Sequence, residues 1–155
     1  MRLYFKQRFF SWLDSYDIYD ESRNVKYIVK GQLSWGHCFN IYDTLGNKQG
    51  TVIEKKLVLL PTFEMYDSNG FVGFIRKRFS LLSNNYNINC KGWYVSGDFL
   101  GWSYKIINSS GNLVAKVYKE LHLTDYYVID VKNDNDAFYA LMLVLAIDAE
   151  KCSRS

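Results

Sequence analysis

A five-residue pattern returns six times along the chain: an aromatic residue, a polar residue, an aliphatic residue, any residue, and a small polar residue or cysteine. The six copies are Tyr16–Asp20, Phe39–Asp43, Phe63–Asp67, Tyr86–Cys90, Tyr104–Asn108 and Tyr126–Asp130. Such alternation is typical of a β-strand that ends in a turn. The copies start 23, 24, 23, 18 and 22 residues apart, about the length of two short strands with their turns. Each repeat is therefore predicted to be one out-and-back pair of strands.

A second β-rich segment accompanies each copy, and turn-forming sequences such as Gly46-Asn47 and Asn69-Gly70 separate the two. The aromatic content of 17% favours strands as well. The second set comprises Leu3–Arg8, Val25–Lys30, Thr51–Leu57, Phe71–Lys77, Trp93–Phe99 and Leu113–Lys119. Together the two sets predict twelve strands.

The end of the chain has a different character, because Ala137–Ile147 carries no charged residue. Asn133–Asp136 before it offers helix caps, and a helix is predicted over about residues 134–149. A helix that is apolar on every face must be buried on every face, and eleven residues span only about 17 Å, too short for a membrane. A twelve-stranded barrel has a bore that such a helix can fill. We predict a mainly β fold, a closed twelve-stranded antiparallel barrel around a buried hydrophobic C-terminal helix, as a single domain of residues 1–155; two stacked sheets with the helix between them are the alternative.

The composition is that of an ordinary folded chain, with 48% hydrophobic and 23% charged residues and a net charge of +3. The three cysteines, Cys38, Cys90 and Cys152, have no framework spacing and favour a reducing compartment. Charged residues interrupt the first eight positions before a signal-peptide core can form. The prediction is a cytoplasmic protein without a transmembrane segment.

Three stretches, Leu60–Tyr66, Val95–Phe99 and Leu145–Ala149, resemble the LURP-one-related proteins in their order and spacing. The resemblance covers residues 1 to about 149. It implies the fold of the tubby C-terminal domain, thought to be shared with phospholipid scramblases, in which a twelve-stranded barrel surrounds a hydrophobic C-terminal helix. Tubby domains bind phosphoinositide head groups through basic residues, but no lipid-binding residue of that family is carried over to a position of this sequence. The resemblance thus implies a binding module without identifying its ligand.

If the strands run up and down in order, the loops that follow the motif copies lie at one end of the barrel and are polar. The loops at the other end are apolar, and we name the following residues the apolar rim: Trp12, Trp35, Leu59, Leu60, Leu81, Leu82 and Trp102. Cations stand on the strands just before that end, and we name the following the cationic collar: Lys55, Lys56, Arg76, Lys77, Arg78 and Lys119. An apolar rim with a cationic collar suits peripheral binding to anionic phospholipid. The hypothesis is a non-enzymatic binding or scaffold module for an anionic membrane surface or a membrane-proximal protein partner.

Three other interpretations remain open for the same residues. The apolar loops can fold over the mouth of the barrel and seal the helix inside, with the cations as solvated residues that block edge aggregation. They can also form an interface with a protein or a second copy of the chain. From a different class, a small-molecule binding or enzymatic barrel would use a cavity beside the central helix.

Motifs for catalysis or metal binding are weak. His37 and Cys38 are neighbours on a strand and point to opposite faces, so they make a poor metal pair. Gly92–Gly97 has the glycine spacing of a phosphate loop, but Asp98 occupies the lysine position. Asn133–Asp136 resembles part of a calcium loop, yet it lacks the central glycine and is better explained by helix capping.

His122 lies in the apolar loop set without a nearby cysteine or second histidine. Basic residues occur in pairs at strand ends and not as one stripe, which argues against nucleic-acid binding. We therefore predict no catalytic residues, no metal, no cofactor and no nucleic acid.

Overall fold

The computed structural model describes residues 1–6, 15–34, 36–56, 60–77, 86–98, 102–120 and 126–152. They form twelve strands, a short 3-10 turn at Asp134–Asp136 and the helix α1 at Ala137–Cys152. The strands are β1 Arg2–Lys6, β2 Ser15–Tyr19, β3 Val25–Leu33, β4 His37–Tyr42, β5 Lys48–Lys55, β6 Thr62–Asp67, β7 Gly70–Lys77, β8 Tyr86–Cys90, β9 Tyr94–Asp98, β10 Ser103–Ile107, β11 Leu113–Glu120 and β12 Tyr126–Val131. Each predicted strand has its counterpart, because alternation and turn residues together mark both ends of a strand.

The strands form one antiparallel sheet in the order β8-β7-β6-β5-β4-β3-β2-β1-β12-β11-β10-β9. The last strand along the chain, β12, pairs with the first, β1, from Arg2 opposite Asp130 to Lys6 opposite Tyr126. The sheet begins with β8 and ends with β9, and no ladder of the described residues joins these two strands. The barrel is therefore nearly closed, and the predicted full closure was wrong.

The seam between β8 and β9 lies at a three-residue turn. Lys91 and Gly92 both have positive φ, 53° and 68°, and the backbone N–H of Trp93 donates to the Cys90 carbonyl at 2.8 Å. Such a turn predicts a hairpin. However, Trp93 is only 5% exposed and belongs to the core. We attribute the divergence of the strands to this residue, which directs the chain inward where a hairpin partner would stand.

The motif has a common structure in four of its copies. Its third residue is fully buried in each of them, at Ile18, Ile41, Met65 and Ile106. The strand register then shifts by one residue directly after that position. A shift of this kind is a bulge that increases the twist and ends the pairing. The motif therefore encodes a core residue, a bulge and a turn.

The sixth copy is out of phase with the others. On β12 it is Tyr127, Ile129 and Val131 that join the core cluster, and Val128, the third residue of this copy, is also buried at 1% exposure. The chain after β12 enters a helix and not a hairpin, so the turn comes later than the motif predicted.

Helix α1 contacts β5, β6, β7 and β12. Five successive side chains from Ala140 to Val144 are 0% exposed. Because each residue turns the helix by about 100°, five of them cover every direction around its axis. The approach to β5 is close, since a Cβ at Gly50 would stand 2.9 Å from the Phe138 ring. Among the described residues, no helix is long and apolar enough to cross a bilayer.

Candidate functional site

At one end of the barrel, side chains accept hydrogen bonds from the backbone of their own loops. Asp20, Asp43 and Asn108 each accept backbone N–H groups from the residues two and four positions on, at 2.8 to 3.0 Å. Asp67 accepts one such bond, from the Asn69 backbone at 2.8 Å. These are Asx turns, and they stand at the fifth position of the motif. We call this the acidic end, because its turns carry carboxylates.

The start of α1 is fixed at the same end. Asn133 caps the 3-10 turn by accepting the Asn135 N–H at 3.0 Å. The Asp134 carboxylate lies 3.2 Å from the N-terminal ammonium, and the Asp136 carboxylate lies 3.0 Å from Lys91 Nζ. With these partners the segment acts as a helix cap, in agreement with the preferred interpretation of the calcium-like sequence.

At the opposite end, which we call the basic end, cations stand on β5 and β7, the two strands that flank β6. Lys55 of β5, Thr62 of β6 and Arg76 of β7 stand opposite one another in the register. Arg76 Nε donates to Thr62 Oγ1 at 3.0 Å, and its guanidinium carbon lies 5.1 Å from the centre of the Phe74 ring. Lys55 Nζ lies 3.2 Å from Glu64 Oε2. Lys56 and Lys55 are exposed, so the three cations form one surface patch.

The other collar residues are placed differently. Lys119 is exposed near the end of β11, which is six strands from β5 along β4, β3, β2, β1 and β12. It therefore stands about halfway round the barrel from the patch. Lys77 ends β7, and Arg78 lies outside the described residues.

The apolar rim lies mostly outside the described residues, which include only Leu60 and Trp102 of its members. Leu60 is partly buried. Trp102 is 9% exposed, with ring centroids 4.1 Å from Tyr127 and 6.2 Å from Phe5. Trp102 therefore packs into the core, as expected for a residue that seals the barrel mouth. Trp12, Trp35, Leu59, Leu81 and Leu82 lie outside the described residues.

A histidine–carboxylate pair stands near the basic end, and no motif in the sequence predicted it. His37 Nδ1 lies 2.8 Å from Glu54 Oε2, which also accepts the His37 backbone N–H at 3.0 Å. The imidazole stacks against Phe63 with centroids 6.4 Å apart. Burial lowers the pKa of His37, and the Glu54 carboxylate opposes this effect. A neutral imidazole that donates to a carboxylate is a structural contact and also a starting point for proton transfer.

The cysteines described are buried thiols. Cys38 and Cys90 are free, and burial raises the pKa of Cys90 to about 11. Such thiols are poor nucleophiles at neutral pH. No group of three or more His, Cys, Asp or Glu side chains within the described ranges has the geometry of a metal site.

The fold defines a class of protein: a mainly β, nearly closed twelve-stranded antiparallel barrel with a C-terminal helix. The sequence profile of the LURP-one-related family matches residues 1–148. The chain belongs to the LURP-one-related family.

Two relatives support this assignment. The uncharacterised protein YxjI of Bacillus subtilis is 22% identical over 149 residues, which cover 96% of this chain and 92% of YxjI. The X-ray structure of a protein from Arabidopsis thaliana superimposes with a TM-score of 0.64 at 18% identity and covers 96% of this chain and 90% of the other. At this identity the likeness establishes the fold, and the function is a separate question.

Proposed function

We propose that the protein is a non-enzymatic binding module that docks its basic end on an anionic phospholipid surface. The observation that carries the proposal is the cluster of cations at the basic end. The patch of Lys55, Lys56 and Arg76 lies at one end, whereas the carboxylates of Asp20, Asp43 and Asp67 lie at the other. A charge distribution of this kind orients a protein toward an anionic surface.

The three cations have different roles in this proposal. Lys56 supplies an exposed charge. Arg76 is held in place by Thr62 and Phe74, so its position needs little further ordering on binding. Lys55 is paired with Glu64 and exchanges that partner for a phosphate, so it contributes least. Lys77, the last residue of β7, and Lys119, on the far side of the same end, are proposed as further contacts.

The buried position of Trp102 supports a sealing role for part of the apolar rim. We accordingly propose that the barrel encloses α1 as its core and that head-group contact depends mainly on cations. The same proposal requires the protein to act in the cytoplasm, where the leaflet with phosphatidylserine and phosphoinositides is exposed.

The test is sedimentation with phosphatidylserine vesicles and phosphoinositide vesicles at low and physiological salt. Each cation near such a surface contributes about 1 kcal/mol. Reversal in Lys56→Glu removes one attraction and adds a comparable repulsion, so we expect about thirtyfold weaker partitioning at low salt.

The matched control is Lys48→Glu, which reverses an exposed lysine beside an acidic-end loop and should bind as the parent does. Binding should weaken at higher salt and be absent on phosphatidylcholine vesicles. Equal loss in both variants, or no binding at either salt, contradicts the proposal.

A further inference from the structure

A cleft lies on the outer face of the barrel, where the described residues of β1 and β2 pair at Tyr4 and Tyr19 alone. Its volume is about 500 Å³, within the range of small-molecule sites. The side chains that line it are Tyr4, Tyr19, Asp20, Glu21, Arg23, Glu120 and Tyr126. Leu3 and Phe5, on either side of Tyr4, belong to the core, so Tyr4 faces outward. The cleft is thus separate from the space beside the helix, where the sequence placed a possible small-molecule site.

Arg23 occupies a backbone position that two sister loops give to glycine. The loops Asp20–Asn24, Asp43–Asn47 and Asn108–Asn112 share the same side-chain and backbone hydrogen bonds. The fourth residue has φ of 63° at Arg23, 85° at Gly46 and 81° at Gly111. A Cβ at either glycine would meet nothing within 4 Å, so glycine is favoured there by φ and not by space. Arginine is strained at this position, and retained strain is characteristic of binding sites.

Glu120 is the second unusual residue of the cleft. Its Oε2 is buried and has no hydrogen-bond partner within the described part of the chain. The other two acids have partners, because Asp20 Oδ1 accepts two backbone N–H groups at 2.8 and 2.9 Å and Glu21 Oε1 lies 4.0 Å from the N-terminal ammonium. A buried acceptor without a partner calls for a donor. Within the described residues no side chain supplies that donor, and we infer that a bound molecule can.

The two residues stand at opposite ends of the cleft with the three tyrosines between them. Tyr19 is opposite Tyr4, and Tyr126 is opposite both Lys6 and Glu120. Measured along β1, the turn after Tyr19 and the position of Glu120 are therefore about three residues apart, roughly 10 Å. A fully extended tripeptide is about 10 Å long.

We propose that this cleft binds an elongated zwitterion of the size of a short peptide. Its ammonium donates to the Glu120 carboxylate, its carboxylate accepts from the Arg23 guanidinium, and its apolar middle packs on Tyr4, Tyr19 and Tyr126. A guanidinium and a carboxylate are the fitting partners for these two groups, and tyrosine faces accept both apolar groups and an ammonium.

The test is calorimetric titration of the full chain with the tripeptide alanyl-phenylalanyl-alanine. We expect saturable binding that weakens at least about tenfold in Glu120→Gln and in Arg23→Gly. N-acetylation of the peptide should weaken binding to the parent protein by the same factor and have little further effect on Glu120→Gln. C-terminal amidation of the peptide should likewise weaken binding to the parent protein and have little further effect on binding to Arg23→Gly.

Stability separates a binding role of Arg23 from a structural one. Arg23→Gly should raise the melting temperature of the protein, because it relieves the strain of the left-handed backbone conformation. The same substitution should weaken binding of the peptide. Lys48→Gln, beside the sister loop, is the control and should leave the affinity unchanged. The proposal is overturned if the tripeptide shows no saturable binding, if spermidine binds as tightly through Glu120 alone, or if both variants keep the parent affinity.

Discussion

The two ends of this barrel are built by different means. At the acidic end, four of the described loops are tied to their own backbone by an Asp or Asn side chain, as at Asp43, which accepts the Leu45 and Asn47 N–H groups at 2.9 and 2.8 Å. Hydrogen bonds from the Asn47 side chain and backbone hold the pKa of Asp43 below its ordinary value. At the basic end, Lys55 and Lys56 are exposed, and they make no contact that organises a loop. Charged side chains therefore hold the loops at one end and are exposed to solvent at the other.

This difference teaches where to look for function in a barrel of this kind. Charged side chains that bind backbone groups stabilise the fold, whereas charged side chains without such a role are free to bind a ligand. Substitutions of the Asp and Asn side chains that accept backbone N–H groups at the acidic end should lower stability. Substitutions of the exposed cations should leave stability nearly unchanged and affect binding.

The largest expected effect tests the helix that passes between the ends. Leu143 is 0% exposed, and Leu143→Asp would place a carboxylate in surroundings that offer no compensation. The cost is several kcal/mol against a total stability of about 5 to 15 kcal/mol. We expect loss of the cooperative thermal transition in circular dichroism.

The control for this substitution is Leu45→Asp in an acidic-end loop, where the leucine is 86% exposed. It should melt as the parent does. A soluble, cooperatively melting Leu143→Asp protein would show that α1 is not the core of the barrel.

The next effect tests the acidic end itself. Asn108→Ala removes the acceptor for the Ser110 and Asn112 N–H groups, at 3.0 and 2.9 Å. Loss of a comparable cap costs about 0.5 to 2 kcal/mol, and we expect the urea midpoint to fall accordingly at an unchanged slope. Ser110→Ala in the same loop leaves that acceptor in place and should be neutral. Equal midpoints for the two variants would mean that the Asx turns do not hold this end.

The strands and the acidic end are the parts that the sequence predicts well. The pattern from Phe39 to Asp43 carries its core residues, its bulge position and its turn residue within five positions, so local chemistry suffices. The seam at Lys91 and Gly92 could not be predicted in this way. The turn is a strong hairpin signal, and whether its strands pair depends on Trp93, whose burial is a property of the whole core.

The candidate sites depend even more on long-range register. His37 and Glu54 meet because β4 pairs with β5, and Lys55 meets Arg76 across β6. Sequence reasoning found the cations because they stand at strand ends. It missed Glu120, whose isolation becomes visible only when β11, β12 and β1 lie side by side.

A smaller effect tests how the seam is held at the acidic end. Lys91 Nζ lies 3.0 Å from Asp136 Oδ1 and 4.2 Å from the centre of the Tyr139 ring. Lys91→Met keeps the length of the side chain and removes both attractions, at a cost of about 1 kcal/mol. The measurement is the urea midpoint, with Lys132→Met, another exposed lysine near the helix start, as the control. Equal urea midpoints for the two variants would mean that Lys91 does not stabilise the seam.

The smallest effect is a pH dependence near the basic end. Because burial lowers the pKa of His37, the unfolded state takes up a proton at that position before the folded state does. Both states are neutral above the ordinary value of about 6.5, so stability should be full there and should fall as the pH drops toward the lower folded-state pKa. We expect the melting temperature of the parent to decline in this window and that of His37→Gln to decline less. His122→Gln, which removes the other histidine, should retain the parent profile. If His122→Gln flattens the profile instead, the pH sensitivity does not come from the pair of His37 and Glu54.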